Sequence, residues 1–161
     1  MKRIIAIAAL LFTFIGAFAQ NGKSMYGKYS DKEGVSAVYI SPAMFRLMGK
    51  LPNLNVEGED VNLAPIIKSL SGFYLLSAEN AEVCGAMDKD VRKLISKGRY
   101  EMLMEAKDSG ETVRMYTAGT ENVVKSFIML SVGNEKTTFI CLDGKMDRER
   151  LEKAIASKIE E

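Results

Sequence analysis

Between Tyr100 and Gly144 four strand-like runs follow one another with almost nothing between them: YEMLMEA, VRMYTA, VVKSFIMLSV and TTFICLDG. Asp108-Ser109-Gly110 and Gly133-Asn134-Glu135-Lys136 have the composition of hairpin turns, and Ala118-Gly119-Thr120 reads as a looser turn. Strands joined this closely pair antiparallel, because a parallel neighbour needs a long crossover. The second half of the chain therefore predicts a four-stranded antiparallel meander.

Side-chain alternation says which faces of that meander are wet. Tyr100, Met102, Met104 and Ala106 share one side of the first run, and Glu101, Leu103 and Glu105 share the other. Thr112, Arg114 and Tyr116 alternate with Val113 and Met115 in the same way, so these two strands bury one face only. Phe127 to Leu130 is apolar on both sides, the pattern of a central strand covered on both faces.

The first half supplies shorter elements. Val35 to Ile40 reads as a strand; Ser41-Pro42, an N-cap and a first-turn proline, then opens a helix from Pro42 to Met48, ended by Gly49. After a loop from Lys50 to Asp60, Asn62 caps a helix from Leu63 to Leu70, and Gly72 to Ser77 is a second strand. Ser77 is expected to cap a longer helix, Ala78 to Lys97, closed by Gly98 and open to a break at Gly85. Asp147 caps a last helix whose Leu151, Ile155 and Ile159 form one apolar stripe. SGFYLLSAEN and KSFIMLSVGN echo each other weakly, as two strand-turn segments often do. The expected fold is α+β in two layers: the meander, extended by one or two N-terminal strands, with helices packed on one face.

The N-terminus predicts export. Lys2 and Arg3 precede an uncharged apolar segment from Ile4 to Ile15, and Ala17-Phe18-Ala19 places a signal-peptidase cut between Ala19 and Gln20. The apolar segment is shorter than the ~20 residues a membrane-spanning helix needs. The organisation read from this is a signal peptide over 1–19, a flexible polar lead-in over 20–34, and a single α+β domain over 35–161. Tyr26 and Tyr29 of the lead-in could pack on the domain, though nothing in the sequence requires it. Without Lys2 and Arg3, 20 of the 22 basic residues face 21 acidic ones, a balance that argues against a nucleic-acid binder. Cys84 and Cys141 are the only cysteines. An oxidising compartment permits a bridge between them, and two separate core thiols are the alternative.

The missing chemistry is as informative. With no histidine, the chain cannot build a Ser-His-Asp or Cys-His system or the imidazole ligands common to zinc and iron sites. No phosphate-cradling, nucleophile-elbow or CxxC motif occurs. Glu57, Glu59 and Asp60 crowd one loop without the spacing of a calcium loop, so a solvated turn is the reading there. Glu101 and Glu105, on one strand face, are the candidate acid/base pair; ion pairing with Arg114 across the strands is the plainer account. Met44, Met48, Met87, Met102, Met104, Met115 and Met129 fall mainly on faces expected to be buried, as core gap-fillers or as the lining of an adaptable groove.

VSAVYISPAMFRLMG, YEMLMEAKDSGETVRMYTAG and SFIMLSVGNEKTTFICLDGKMDRERLEKAIA together resemble an uncharacterised family of small exported bacterial proteins, a domain of unknown function numbered 4252. The resemblance covers most of the chain beyond the leader. Many members carry a lipid-attachment cysteine after the signal, where this chain has Gln20. The family has no established activity, so the resemblance implies no catalytic, cofactor or metal residue. Members are sometimes encoded beside envelope-stress sigma and anti-sigma factors, which implies a regulatory role.

The expectation is a non-enzymatic envelope domain, periplasmic or secreted. It would bind another envelope protein through its sheet, or form a homodimer through an edge strand, with no cofactor, nucleic acid or transmembrane segment in the mature chain. The rival readings are a small carboxylate-dependent hydrolase using Glu101, Glu105 or the Glu57 loop, and a structural or adhesive secreted factor.

Overall fold

Ser109 and Gly110 both hold positive φ, 46° and 90°, so Asp108 and Glu111 pair across a two-residue turn. Such turns carry the twist that hairpin strands need, and glycine meets the second position without strain. This turn joins β3 (Glu101–Asp108) to β4 (Glu111–Gly119). β5 (Val123–Val132) and β6 (Thr137–Asp147) complete the meander. β1 (Val35–Ile40) and β2 (Leu70–Ala78) extend it past β6, giving a six-stranded antiparallel sheet in the order β1-β2-β6-β5-β4-β3. The computed structural model describes residues 21–48 and 64–156. The predicted leader, the Glu57, Glu59 and Asp60 loop, the Asn62 cap and Ile159 lie outside those residues.

Five helices accompany the sheet among the described residues: α1 (Asn21–Tyr29), α2 (Pro42–Met48), α3 (Ala64–Ser69), α4 (Ala81–Lys97) and α5 (Arg148–Ala156). α1 corrects the flexible lead-in, and with it the start of the domain. Its sequence, NGKSMYGKY, has poor helix propensity, so packing makes the helix. Gly22, Met25 and Tyr29, spaced for one helical face, are all buried. The Tyr29 hydroxyl donates to Asp90 Oδ2 of α4 at 2.6 Å, and Lys28 pairs with the same oxygen.

α4 starts later than expected. Ser77 and Ala78 belong to β2, and Asn80 is the cap, its Oδ1 accepting the backbone N–H groups of Glu82 (3.0 Å) and Val83 (3.2 Å). The helix runs unbroken through the exposed Gly85. At α5 the expected cap is present: Asp147 Oδ1 accepts from Arg150 N–H at 3.0 Å. The two echoing segments become β2 and β5, which flank β6 but lead into a helix and a hairpin respectively.

The cross-strand register sorts the core into two clusters. On the first face Tyr74, Cys141 and Ile128 stand side by side, as do Leu76, Phe139 and Leu130. α1 and α4 cover them with Met25, Tyr29, Met87 and Val91. Phe127 and Leu142 alternate with those residues and so lie on the second face, where they cluster with Ile66 of α3 and Leu151 of α5. Helices therefore sit on both faces, not one. The reason is the doubly apolar run of β5, which needs cover on each side. Cys84 and Cys141 are free thiols. Cys84 donates to the Ala78 carbonyl at 3.1 Å and Cys141 to Asp143 Oδ1 at 3.5 Å.

Candidate interaction face

The second face carries three rows of side chains, each crossing all six strands. Nearest α3 and α5 runs Glu101, Thr117, Phe127, Leu142, Phe73 and Ile40. The middle row is Met104, Met115, Met129, Ile140, Leu75 and Val38. Beyond it lie Ala106, Val113, Ser131, Thr138, Ser77 and Ser36. The helices shield the first row, whose Thr117 and Phe127 are buried. Every member of the middle row stays half-buried except Val38, which is 45% exposed. Among the described residues a half-buried apolar band, whose Met115 and Met129 also pack against the second cluster, thus runs along the sheet with a hydroxyl-rich border on one side. Ser77 Oγ and Thr138 Oγ1 hydrogen-bond across that border at 3.3 Å.

Methionine placement bears on what the band can do. Of the seven methionines on faces expected to be buried, Met87 alone is sealed in the core, while Met44 and Met102 are 48% and 51% exposed. Met104, Met115 and Met129 form consecutive members of the open row. Unbranched, polarisable thioethers in an accessible row can re-pack against differently shaped apolar partners. Sequence alternation put Met102 and Met104 on one face of β3, but the register shift between them sets Met102 opposite Tyr116 on the first face and Met104 opposite Met115 on the second. The alignment of the row across strands depends on register, which no local pattern discloses.

The structure separates the candidate acid pair. The register shifts between Met102 and Met104, so Glu101 faces Thr117 on the second face while Glu105 faces Arg114 on the first. The expected shared face is corrected: the irregularity at Leu103 breaks the alternation. Glu105 Oε2 accepts from Arg114 Nε at 2.6 Å, and Lys107 Nζ lies 3.0 Å from Oε1. Lys107 and then Arg114 hold this carboxyl below its usual range. Glu101 reaches Arg148, 3.7 Å away.

A buried polar cluster beneath α1 escaped the sequence reading. The Tyr100 hydroxyl accepts from Asn21 Nδ2 and donates to Ser126 Oγ, both at 3.0 Å. Ser126 Oγ lies 3.6 Å from Cys141 Sγ, and Asp143 Oδ2 is buried without a partner. Burial raises the Asp143 carboxyl above its ordinary range, partly offset by Ser126, Cys141 and the Gly22 backbone. Burial, then the Asp143 charge, pushes the Cys141 thiol well up, which keeps it protonated and a poor nucleophile. Burial pushes Tyr100 to about 12. The cluster fastens α1 to the sheet through Asn21, Tyr100 and Ser126. Its signal in the sequence was an acid, Asp143, two residues from Cys141 on the buried side of a core strand.

A hollow of about 540 Å³ lies between the β3–β4 and β5–β6 turns, lined in part by Glu111, Ser131, Asn134, Lys136 and Thr138. Ser131 Oγ donates to Glu111 Oε1 there at 2.5 Å. Among the described residues no three His, Cys, Asp or Glu converge as metal ligands, and no helix is long and apolar enough to cross a membrane.

The model of one protein family, described as a domain of unknown function (DUF4252), matches residues 29–154. No curated protein and no solved structure matches.

Proposed function

We propose a function from the premise that the chain belongs to the DUF4252 family: it is an exported, non-enzymatic binding domain of the bacterial envelope that holds a protein partner on the second face of its sheet. The observation that carries this reading is the open row Met104, Met115, Met129, Ile140, Leu75 and Val38. Contiguous accessible apolar surface edged by polar groups is the character of a recognition surface, and removing it from water stabilises a complex by ~25 cal/mol per Å² before the costs of association. Support for export comes from the charged, then apolar, leader ending at Ala17-Phe18-Ala19. The link to envelope-stress regulation rests on the family resemblance.

Site-specific photocrosslinking in cells tests the reading. A photoreactive residue replacing Met129 should give discrete protein adducts, lost when Met115→Lys is added. The same probe replacing Lys89, exposed on α4 over the other face, should not give them. Adducts absent from both positions, or equal at both, would remove the proposal.

A further inference from the structure

The two edges of the sheet are built differently. β3 carries Glu101, Glu105, Lys107 and Asp108 and a register shift at Leu103, devices that discourage another strand from adding. β1, VSAVYI, has no charge, no proline and no register shift. Both edges expose apolar side chains, Met102 and Leu103 among the charges of β3, and Val38 and Tyr39 on the uncharged β1 with Met44 and Leu47 on the adjoining α2.

The free backbone groups of β1 follow from its hydrogen bonding. Glu79 N–H donates to the Gly34 carbonyl at 3.0 Å, which makes Gly34 and Glu79 a hydrogen-bonded pair. Antiparallel pairs alternate in this respect, so Ser36, Val38 and Ile40 turn their backbone groups toward β2. Val35, Ala37 and Tyr39 turn theirs outward. Val35 N–H is already engaged by the Lys32 carbonyl at 3.2 Å. Among the described residues nothing engages Ala37 or Tyr39 on that side, so both offer donor and acceptor to an incoming strand.

We infer that β1 pairs antiparallel with β1 of a second copy of this chain, about a two-fold axis at Val38. The inference rests on the middle row being a binding surface. In this register Ala37 exchanges hydrogen bonds with Tyr39 of the second copy, and the reverse, so every outward group used is one that no described residue engages. A register centred on Ala37 would instead call on the committed N–H of Val35 and set Val38 against Ser36. The axis at Val38 places valine on valine and joins the two open rows end to end, Leu75–Val38 meeting Val38–Leu75. It also sets a small Ala37 beside a large Tyr39, whose ring stacks on Tyr74 at 5.1 Å between centroids.

The full chain, expressed and purified as the cell processes it, provides the test. Sedimentation velocity should show a concentration-dependent dimer, and Val38→Lys should be monomeric at concentrations where the parent dimerises, since the two ammonium groups would face each other. Val38→Cys, in a Cys84→Ser background, should close an inter-copy disulfide under mild oxidation. Facing residues at that kind of position have Cα atoms ~4.5 Å apart, inside the disulfide range. Ser36→Cys should not, because it pairs with Ile40 and lies ~14 Å from its own counterpart. A monomer at every concentration, or Ser36→Cys linking as readily as Val38→Cys, overturns the pairing. A monomer that still gives adducts at position 129 rejects the pairing and leaves the binding face standing. A dimer that gives none retains the pairing and rejects the proposed function.

Discussion

Met129 on β5 stands directly opposite Ile140 on β6, and both remain half-buried although they lie on the two central strands of the sheet. Their chain neighbours Ile128 and Cys141, paired one step along and turned to the other face, are wholly excluded from water. One pair of strands therefore serves two purposes. Among the described residues its first face is sealed by α1 and α4, and its second is sealed at the end where α3 and α5 sit.

This asymmetry should appear in stability. Ile128→Ala deletes a fully buried side chain and should cost about 3–4 kcal/mol, transfer and cavity contributions together. Met129→Ala, one residue away on the half-open face, should cost roughly 1 kcal/mol or less. Urea unfolding followed by circular dichroism measures both; the chain has no tryptophan to report by fluorescence. Equal losses at the two positions would mean that the second face is as well covered as the first.

The elements legible in the sequence were those whose evidence is local. The Ser109-Gly110 turn, the Pro42 start of α2, the Asp147 cap and the two-sided β5 each carry their signal within a few residues. α1 does not, because two glycines and a polar composition hide a helix that exists through contacts with Tyr74, Cys141 and Asp90. The alternation in β3 misled, since the irregularity at Leu103 sends Glu101 and Glu105 to opposite faces. The methionine row was visible only as scattered methionines. It becomes a surface through strand order and register, which are long-range properties.

Asp143 should give the pH dependence an unusual component. Its folded pKa lies above the unfolded value of about 3.9, so the folded state holds the proton more tightly. The stability this confers is complete below that unfolded value and is lost as pH rises from about 4 through the folded pKa. Carboxyls with lowered values, Asp90 and Glu105, act in the opposite sense, losing their contribution as pH falls. The comparison with Asp143→Asn isolates the effect: the parent's stability relative to the variant should decline as pH rises from about 4 toward neutrality. Parallel stability curves across that range would show that the buried carboxyl does not titrate abnormally.

The two thiols should differ in reactivity. Cys84 is half-buried on α4, whereas Cys141 is sealed and its thiol is held well above the usual range. An aromatic disulfide reagent at neutral pH should label Cys84 in the folded protein and reach Cys141 only after denaturant is added. Cys84→Ser should then abolish native-state labelling. Rapid native labelling of both would mean that α1 opens readily from the sheet.

Two glycines in helices should respond to alanine with opposite signs. A Cβ at Gly85 would meet nothing within 4 Å, so Gly85→Ala should stabilise the exposed interior of α4 by about 1 kcal/mol through backbone entropy alone. A Cβ at Gly22 would lie 2.4 Å from Tyr74 Cδ2 and 2.9 Å from Cys141 Sγ. The Tyr74 ring cannot simply swing aside, because it is buried and stacked on Tyr39, with Tyr26 at 6.0 Å on centroids. α1 must move instead, straining the contacts of Asn21 with Tyr100 and of Tyr29 with Asp90. Gly22→Ala should therefore cost about 1–3 kcal/mol, whatever it gains in helix propensity. Thermal melts give the two signs, and hydrogen exchange locates the second effect: amides of α1 should lose protection while β5 and β6 keep theirs. A neutral Gly22→Ala with α1 still protected would show that the helix is not seated against Tyr74 and Cys141.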